Sequence, residues 1–266
     1  MGKKIGAKLD SEKSKQEIMR TKRFGLVGKN ISYSFSKSYF ANKFEENNNF
    51  DCEYENIDLQ TIQELPNYLK KNPELIGLNV TIPYKETILP FLDELSETAK
   101  IIGAVNTIKI TPEGKLIGYN TDYFGFQKAL KPMLKPYHKK ALILGTGGAS
   151  KGVAFALKEL EIDVTFVSRN ASDKNLDYSQ ITPEIFDEHK IIINCTPIGT
   201  SPKIDECVPI TYDCFSEKHI AFDLIYNPSE TLFLKNAKIQ GAQIQNGLEM
   251  LIFQAEKSWE IWNKKT

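Results

Sequence analysis

The 266-residue chain has no surplus charge of either sign, with 34 Lys and Arg against 34 Asp and Glu. Sequence-independent affinity for DNA or RNA rests on phosphate neutralisation by a basic face, so no nucleic-acid partner is expected. Long apolar runs are missing as well. Uninterrupted stretches are of the size of Ala141–Leu144, far below the roughly 20 residues that span a bilayer, and no membrane partner is expected. Residues 1–22 are rich in Lys and lack the apolar segment of about 7–15 residues that marks a secretory signal. The expectation is a cytoplasmic protein with a flexible N-terminal arm over residues 1–22. Cysteine is scarce, at 4, and histidine scarcer, at 3. Cys52, Cys195, Cys207 and Cys214 form no C-x-x-C pair, and His138, His189 and His219 do not stand at metal-ligand spacing from them. The cysteines therefore read as reduced thiols, and no metal is expected.

What is present describes a globular protein, 41% hydrophobic and 26% charged, long enough for one large or two modest domains. From Arg23 short apolar runs alternate with helical stretches. Strands are expected at Phe24–Gly28, Cys52–Ile57 and Leu75–Val80, and helices at Lys37–Asn47 and Thr61–Lys71. That alternation is the signature of an α/β sheet that is at least partly parallel. Thr87–Leu92 and Glu94–Lys100 read as helical. Ala104–Lys109 and Lys115–Tyr119 read as a hairpin around Thr111-Pro112-Glu113-Gly114, an antiparallel edge. After Tyr123 the alternation begins again, with a helix at Tyr123–Leu134, strand Ala141–Leu144, helix Ala149–Leu160 and strand Asp163–Ser168. Further strands are expected at Ile191–Asn194, Ile220–Phe222 and Gln243–Gln245, with a helix at Glu230–Ala237. The closing stretch Gly247–Trp262 places Leu248, Leu251, Ile252, Ala255, Trp259 and Trp262 close to helical periodicity.

Gly145-Thr146-Gly147-Gly148-Ala149-Ser150 lies between a buried strand and a helix. Glycines there let the backbone turn tightly and approach a pyrophosphate, whose charge meets free N–H groups and the positive helix end. The third fingerprint position is Ser150 rather than Gly, so the loop is read as a dinucleotide site or as a structural turn. NAD-binding units place an acid at the end of the second strand, but this strand ends in Ser168-Arg169-Asn170. An Arg without an acid suits the 2′-phosphate of NADP. Lys174 is either a second charge or a solvated loop residue. Asn194-Cys195-Thr196-Pro197-Ile198-Gly199-Thr200 follows another apolar strand, which makes it a neighbour of the nicotinamide ribose or simply a Pro/Gly connection.

In the first half, Asn79 and Thr81 can bind hydroxyls while Lys85 supplies a proton and a positive charge. The segment suits a polyhydroxylated anion, unless it is a surface turn. Asn106 and Asp122 also follow expected strands. Asp122 can form a proton-transfer pair with Lys85 if the two face one cleft, or cap the helix beginning near Tyr123. Ser34 and Ser36 can point together toward a carboxylate, or cap the helix that follows.

Taken together, the residues from Arg23 onward resemble the shikimate dehydrogenase family. Asn79–Lys85 looks like that family's N-V-T-x-P-x-K motif, Gly103–Thr107 like G-A-V-N-T, and Asn120–Asp122 like N-T-D. Gly145–Ser150 resembles the G-x-G-G-A-S loop, Ala221–Pro228 the D-x-x-Y-N-P segment, and Gly247–Gln254 the G-x-x-M-L-x-x-Q helix start. Six matches in the family's order make chance an inadequate explanation. The resemblance implies two α/β domains. An N-terminal substrate domain spans 23–122 and 247–266, with the final helix returning to it, and a Rossmann-type NADP-binding domain spans 123–246. It implies reversible reduction of 3-dehydroshikimate to shikimate with NADPH, in aromatic amino-acid synthesis. Lys85 and Asp122 would be the catalytic pair, and Ser34 and Ser36 would bind the substrate carboxylate. Asn79, Thr81, Asn106, Asp122 and Gln254 would hold ring hydroxyls. Tyr226 would stand near the substrate and Gly247 near the nicotinamide. Gly145, Thr146, Gly147, Gly148, Ala149, Ser168, Arg169 and Thr196 would line the cofactor. The only partner expected is the small-molecule substrate, for a monomer or homodimer.

The departures lie in Gly28-Lys29-Asn30-Ile31-Ser32-Tyr33-Ser34, where the family shows G-x-P-x-x-H-S. Asn30 for Pro and Tyr33 for His imply a less rigid loop, with consequences for hydroxyl selectivity or affinity. Three other functions fit parts of the pattern. A quinate or dual quinate/shikimate dehydrogenase would differ by small pocket changes. A catalytically idle NADP-binding regulator would share the fold. A folate-linked dehydrogenase would use a cleft Lys without needing Ser34, Ser36, Asn79 or Asn106.

Overall fold

The computed structural model describes residues 21–32 and 34–264. Most of the expected N-terminal arm and Tyr33 therefore lie outside the described residues.

The first half runs β1 (Lys22–Gly28), α1 (Phe35–Glu46), β2 (Cys52–Asp58), α2 (Leu65–Lys71), β3 (Leu75–Val80), α3 (Tyr84–Thr87), β4 (Glu94–Leu95), α4 (Glu97–Ile102), β5 (Thr107–Ile110) and β6 (Leu116–Tyr119). Its strands form one sheet in the order β2-β1-β3-β5-β6-β4. β1 pairs parallel with β2 and β3, whereas β5 runs antiparallel to both β3 and β6. The anticipated hairpin is thus an inner part of the sheet, and the two-residue β4 closes the edge by pairing parallel with β6.

The second half runs α5 (Asp122–Leu130), β7 (Lys140–Leu144), α6 (Gly148–Glu159), β8 (Asp163–Ser168), β9 (Asn175–Asp177), α7 (Pro183–Glu188), β10 (Ile191–Asn194), β11 (Ile220–Asp223), α8 (Leu232–Ile239), β12 (Gln243–Gln245) and α9 (Leu248–Asn263). Its sheet has the order β12-β11-β10-β7-β8-β9 and is parallel throughout. Ala141–Leu144 and Ile191–Asn194 are fully buried, as parallel strands covered on both faces must be. Strand order reverses between β7 and β10, which places a topological switch point at the loops carrying Gly145 and Thr196.

Several boundaries differ from the sequence expectation. The stretch Thr87–Leu92 is not one helix: α3 ends at Thr87 and a 3₁₀ turn spans Leu89–Phe91. Pro90 has no N–H for a continuous helix. Glu94–Lys100 divides into β4 and α4 because Ser96 caps α4, its hydroxyl accepting from the Ala99 N–H at 3.2 Å. The helix expected at Tyr123–Leu134 starts at Asp122 and tightens into a 3₁₀ turn over Lys131–Met133, at Pro132. β9 and α7 were not anticipated; β9 is three residues long and mostly polar, with no alternation to betray it.

Helices α5 and α9 join the two halves. Phe126, Ala129 and Leu130 of α5 and Met250 of α9 pack into the core against the parallel sheet, while Ala255 and Trp262 of α9 belong to the core around Phe24 and Phe40. The helices approach so closely at Gly125 that a Cβ there would stand 2.4 Å from the Met250 carbonyl. A side chain would force them apart. Loops that follow strands of the two sheets thereby come together, with Gly148 beside Lys85.

Candidate active site

The cleft is built at the ends of β3, β5 and β6 on one side and of β7 and β10 on the other. Lys85 stands on the short helix α3, held there because its backbone carbonyl accepts from the Val105 N–H at 2.7 Å. Its Nζ donates to Asp122 Oδ2 at 2.6 Å, with the two side chains 15% and 7% exposed. The other carboxylate oxygen, Oδ1, accepts from Asn106 Nδ2 at 2.8 Å. Asp122 therefore pairs with Lys85 and does not cap the helix. Thr121 holds the N-cap position, and Asp122 is the first helical residue.

Behind the pair lies a layer of buried polar groups. Asn106 Nδ2 also faces Thr121 Oγ1 at 3.0 Å and Gln254 Oε1 at 3.2 Å, while its Oδ1 accepts from the Thr121 N–H at 2.6 Å. Asn79 accepts from the Tyr54 hydroxyl at 2.8 Å and donates to Ser258 Oγ at 3.0 Å. Ser258 in turn lies 2.7 Å from Thr107 Oγ1. Buried polar groups left without partners would each cost about 1–3 kcal/mol, so this network fixes the carboxamides of Asn79 and Asn106 in one orientation. Sequence reasoning missed Tyr54, Thr107, Thr121 and Ser258. Thr107 and Thr121 stood inside recognised motifs, whereas Tyr54 and Ser258 carry no local signal.

Ser34 does cap α1, its Oγ accepting from the Ser36 N–H at 3.2 Å. That bond uses a lone pair and leaves the hydroxyl proton free to donate. The capping and anion-binding readings are thus compatible at a helix start, where the dipole favours negative charge. Burial pushes the Tyr54 phenol, which donates to Asn79, above its ordinary range, with Ser36 acting in the opposite direction. Tyr226 meets this helix start through Phe35, ring centroids 5.7 Å apart. Thr81 lies beside Gly28, where a Cβ would stand 2.6 Å from its methyl group.

The substitution at Asn30 does not loosen its loop. Asn30 has φ +56°, and its N–H and that of Ile31 donate to the two oxygens of Asp58 at 3.0 and 3.3 Å. Proline, with φ near −65° and no N–H, fits neither feature.

On the opposite wall Gly145 has φ +106°, which favours glycine, and a Cβ there would stand 3.0 Å from the Thr196 methyl. The loops after β7 and β10 are therefore in contact, as a dinucleotide site at the switch point requires. Thr196 is fixed by Asn194, whose Oδ1 accepts from its hydroxyl at 2.6 Å and from its N–H at 3.0 Å. Gly147 precedes the 12-residue α6, with no atom within 4 Å of where its Cβ would be. That open backbone suits close approach of a pyrophosphate. Ser150 donates to the Gly147 carbonyl at 2.6 Å, so the residue at the third fingerprint position folds back onto the turn. Thr146 is exposed, and Ala149 is half-buried. A Cβ on Gly148 would stand 3.3 Å from that of Lys85, so the cofactor loop and the catalytic lysine are neighbours.

Ser168 is engaged within its loop, donating to the Asn170 carbonyl and accepting from Asn175 Nδ2, each at 2.7 Å. Arg169 is exposed beside Tyr178, a phenol that burial raises and the guanidinium lowers. The acid nearest this strand end in register is Asp177. Its carboxylate accepts from the N–H groups of Ser179 and Gln180, and the cations of this loop, Arg169 and Lys174, are both exposed. Gly247 packs on the segment that follows β11, where a Cβ would lie 2.0 Å from the Leu224 carbonyl. Among the described residues, no group of three His, Cys, Asp or Glu could hold a metal, and no helix is long and apolar enough to cross a membrane.

Asp223 is completely buried, and its carboxyl is pushed up to about 6 by burial, against hydrogen bonds from Thr231, the Ile225 N–H and Asn194. A carboxyl raised in the folded state contributes stability that is present below its unfolded pKa of about 4 and lost as pH rises through its folded value. The loss amounts to roughly 2–3 kcal/mol. Asp223→Asn should flatten the fall in thermal midpoint between about pH 4 and pH 6. Parallel slopes for the two proteins would show that Asp223 does not titrate there.

The family model described as the shikimate dehydrogenase substrate binding domain matches residues 26–108. The NADP(+) shikimate dehydrogenase of Clostridium botulinum is 42% identical over 248 residues, which cover 90% of this chain and 95% of that relative. The solved shikimate 5-dehydrogenase of Thermus thermophilus in complex with NADP(H) and shikimate superposes with a TM-score of 0.80 at 34% identity, covering 91% of this chain and 93% of that one. Quinate dehydrogenase from Corynebacterium glutamicum in complex with NAD has the same TM-score of 0.80 at 25% identity, covering 91% and 93%.

Proposed function

Because the chain belongs to the shikimate dehydrogenase family, we propose that the cleft between its two sheets carries out NADPH-dependent reduction of 3-dehydroshikimate to shikimate, and the reverse. The protein is an NADP-dependent oxidoreductase. The observation that carries the site assignment is the Lys85–Asp122 pair at 2.6 Å, in a cleft whose other wall is a glycine turn shaped for a pyrophosphate. NADPH supplies a hydride from its nicotinamide. Lys85 holds a proton at the substrate's ring oxygen and stabilises the charge that grows there as the carbonyl becomes an alkoxide. Asp122 keeps the ammonium oriented and accepts from a ring hydroxyl. The carboxamides of Asn79, Asn106 and Gln254 and the Thr81 hydroxyl hold the remaining hydroxyls, and Ser34 and Ser36 take the carboxylate. Tyr226 stands near the substrate, and Gly247 near the nicotinamide. On the cofactor side Gly145, Thr146, Gly147, Gly148 and Ala149 cradle the pyrophosphate. Ser168 and Arg169 take the adenosine end, and Thr196 the nicotinamide ribose.

The domain division that goes with this reading is a substrate domain of residues 23–122 and 247–266 and a cofactor domain of residues 123–246. Support comes from the two separate sheets and from Trp262 returning to the first core. For a reaction between two small soluble metabolites, the setting proposed is the cytoplasm, with the chain acting as a monomer or homodimer.

The test is NADPH absorbance with shikimate and quinate, each with NADP and NAD. Turnover with shikimate and NADP is expected to dominate; a preference for quinate or NAD, or silence in all four reactions, would overturn the reading. Arg169→Ala should lower kcat/KM for NADP by about 10–100-fold, the worth of a hydrogen bond between charged groups. The value for NAD should not move. An equal loss for both nucleotides would remove Arg169 from 2′-phosphate recognition.

A further inference from the structure

Shikimate is a rigid ring with its carboxylate on one side and its hydroxyls on the others. In the reading above these are gripped by different helices: Ser34 and Ser36 start α1, and Gln254 lies on α9. The relative register of α1 and α9 then decides whether both ends are met at once. Ring contacts join the two helices, Phe44 against Trp259 at 5.4 Å and Phe40 against Trp262 at 5.5 Å. The apolar burial they provide is non-directional, and ring pairs are held less tightly to one register than a hydrogen-bonded ion pair.

One directional contact lies along the same seam. Glu256, two residues beyond Gln254, accepts from Lys43 Nζ at 2.8 and 2.7 Å on its two oxygens and also from the Tyr39 hydroxyl. The Lys43 side chain is 15% exposed. Burial of Glu256 raises its carboxyl, but the bonds from Lys43 and Tyr39 outweigh this and hold it below its ordinary value. Tyr39 in turn stacks on Phe35, centroids 5.7 Å apart, and Phe35 lies between the two serines in sequence.

We propose that Glu256 is a positioning residue for substrate binding: by holding Tyr39 and Lys43 it fixes α1 against α9 and sets the spacing between Ser34–Ser36 and the hydroxyl-binding cluster at Gln254. The proposal rests on the reading that the serines take the carboxylate. Glu256 touches no substrate in this arrangement, so its effect falls on substrates that use both ends of the site.

The experiment compares shikimate with the corresponding cyclohexene triol lacking the carboxylate, with NADP, for wild type, Ser34→Ala/Ser36→Ala and Glu256→Ala. The double serine variant should raise KM for shikimate and leave kcat/KM for the triol unchanged; if it treats both alike, the carboxylate reading falls. Given that result, Glu256→Ala should raise shikimate KM by about tenfold, with kcat and the triol unaffected. Tyr39→Phe/Lys43→Met should give the same rise and add nothing further to Glu256→Ala, because the three side chains act as one unit. Should Glu256→Ala fail to fold, the Tyr39/Lys43 variant reads the same coupling. An unchanged shikimate KM, or an equal loss for both substrates, would overturn the positioning role.

Discussion

Lys85→Met should lower kcat for shikimate oxidation by about 10³-fold while KM for shikimate changes little. Methionine keeps the length and apolar stem of the side chain and removes only the ammonium, so packing on α3 is preserved. The ground-state substrate is still held by the carboxamides, the serines and Asp122, whose Oδ1 keeps its bond from Asn106. What is lost is a charge and a proton at the oxygen where negative charge grows in the transition state, an interaction far weaker in the ground state. A loss confined to kcat is the signature of such a group. Single-turnover measurement of NADPH formation checks that chemistry, and not product release, has slowed. Turnover within about tenfold of wild type would place the proton elsewhere, and a rise in KM at constant kcat would make Lys85 a binding residue only.

Trp262→Ala should destabilise the protein by about 3–5 kcal/mol. The indole is 6% exposed, lies 4.8 Å from the Phe24 ring and 5.5 Å from that of Phe40, and donates to the Ile108 carbonyl at 2.9 Å. Its removal leaves a cavity and takes one hydrogen bond from a buried carbonyl. The indole also lies against Gly77, where a Cβ would stand 2.5 Å from its atoms. Gly77→Ala should therefore destabilise the wild-type protein, since either the strand or the ring must shift. In the Trp262→Ala background the same change should stabilise, by about 0.5–1 kcal/mol, because alanine is better than glycine inside a strand once the space is free. This reversal of sign, read from urea unfolding of the four proteins, tests the packing directly. Additive losses would show that the ring does not rest on Gly77.

Local physics made much of this protein legible. Strands buried on both faces are near-continuous apolar runs, as in Ala141–Leu144 and in the three isoleucines that open β10, and the run is visible in one dimension. Gly145 betrays its turn because φ +106° excludes most side chains. Lys85 and Asp122 were both identifiable as chemical groups at strand ends, and Arg169 as a cation where an acid is usual. Short polar elements were not legible: β9 has three residues and draws its stability from pairing with β8.

The sequence by itself determined the α/β class, most of the strands, the glycine turn and the residue types that the chemistry uses, because each depends on neighbours within one turn or one strand. Tertiary structure alone decided which of those residues meet. Lys85 reaches Asp122 across 37 positions and Asn79 reaches Ser258 across 179. Whether Asp122 caps a helix or pairs with a lysine, and whether Asn30 loosens a loop or is anchored by Asp58, depends on partners brought near only by packing. Hydrogen bonds and ion pairs act over about 3 Å, so their partners are set by where the cores press α9, α5 and the first sheet together.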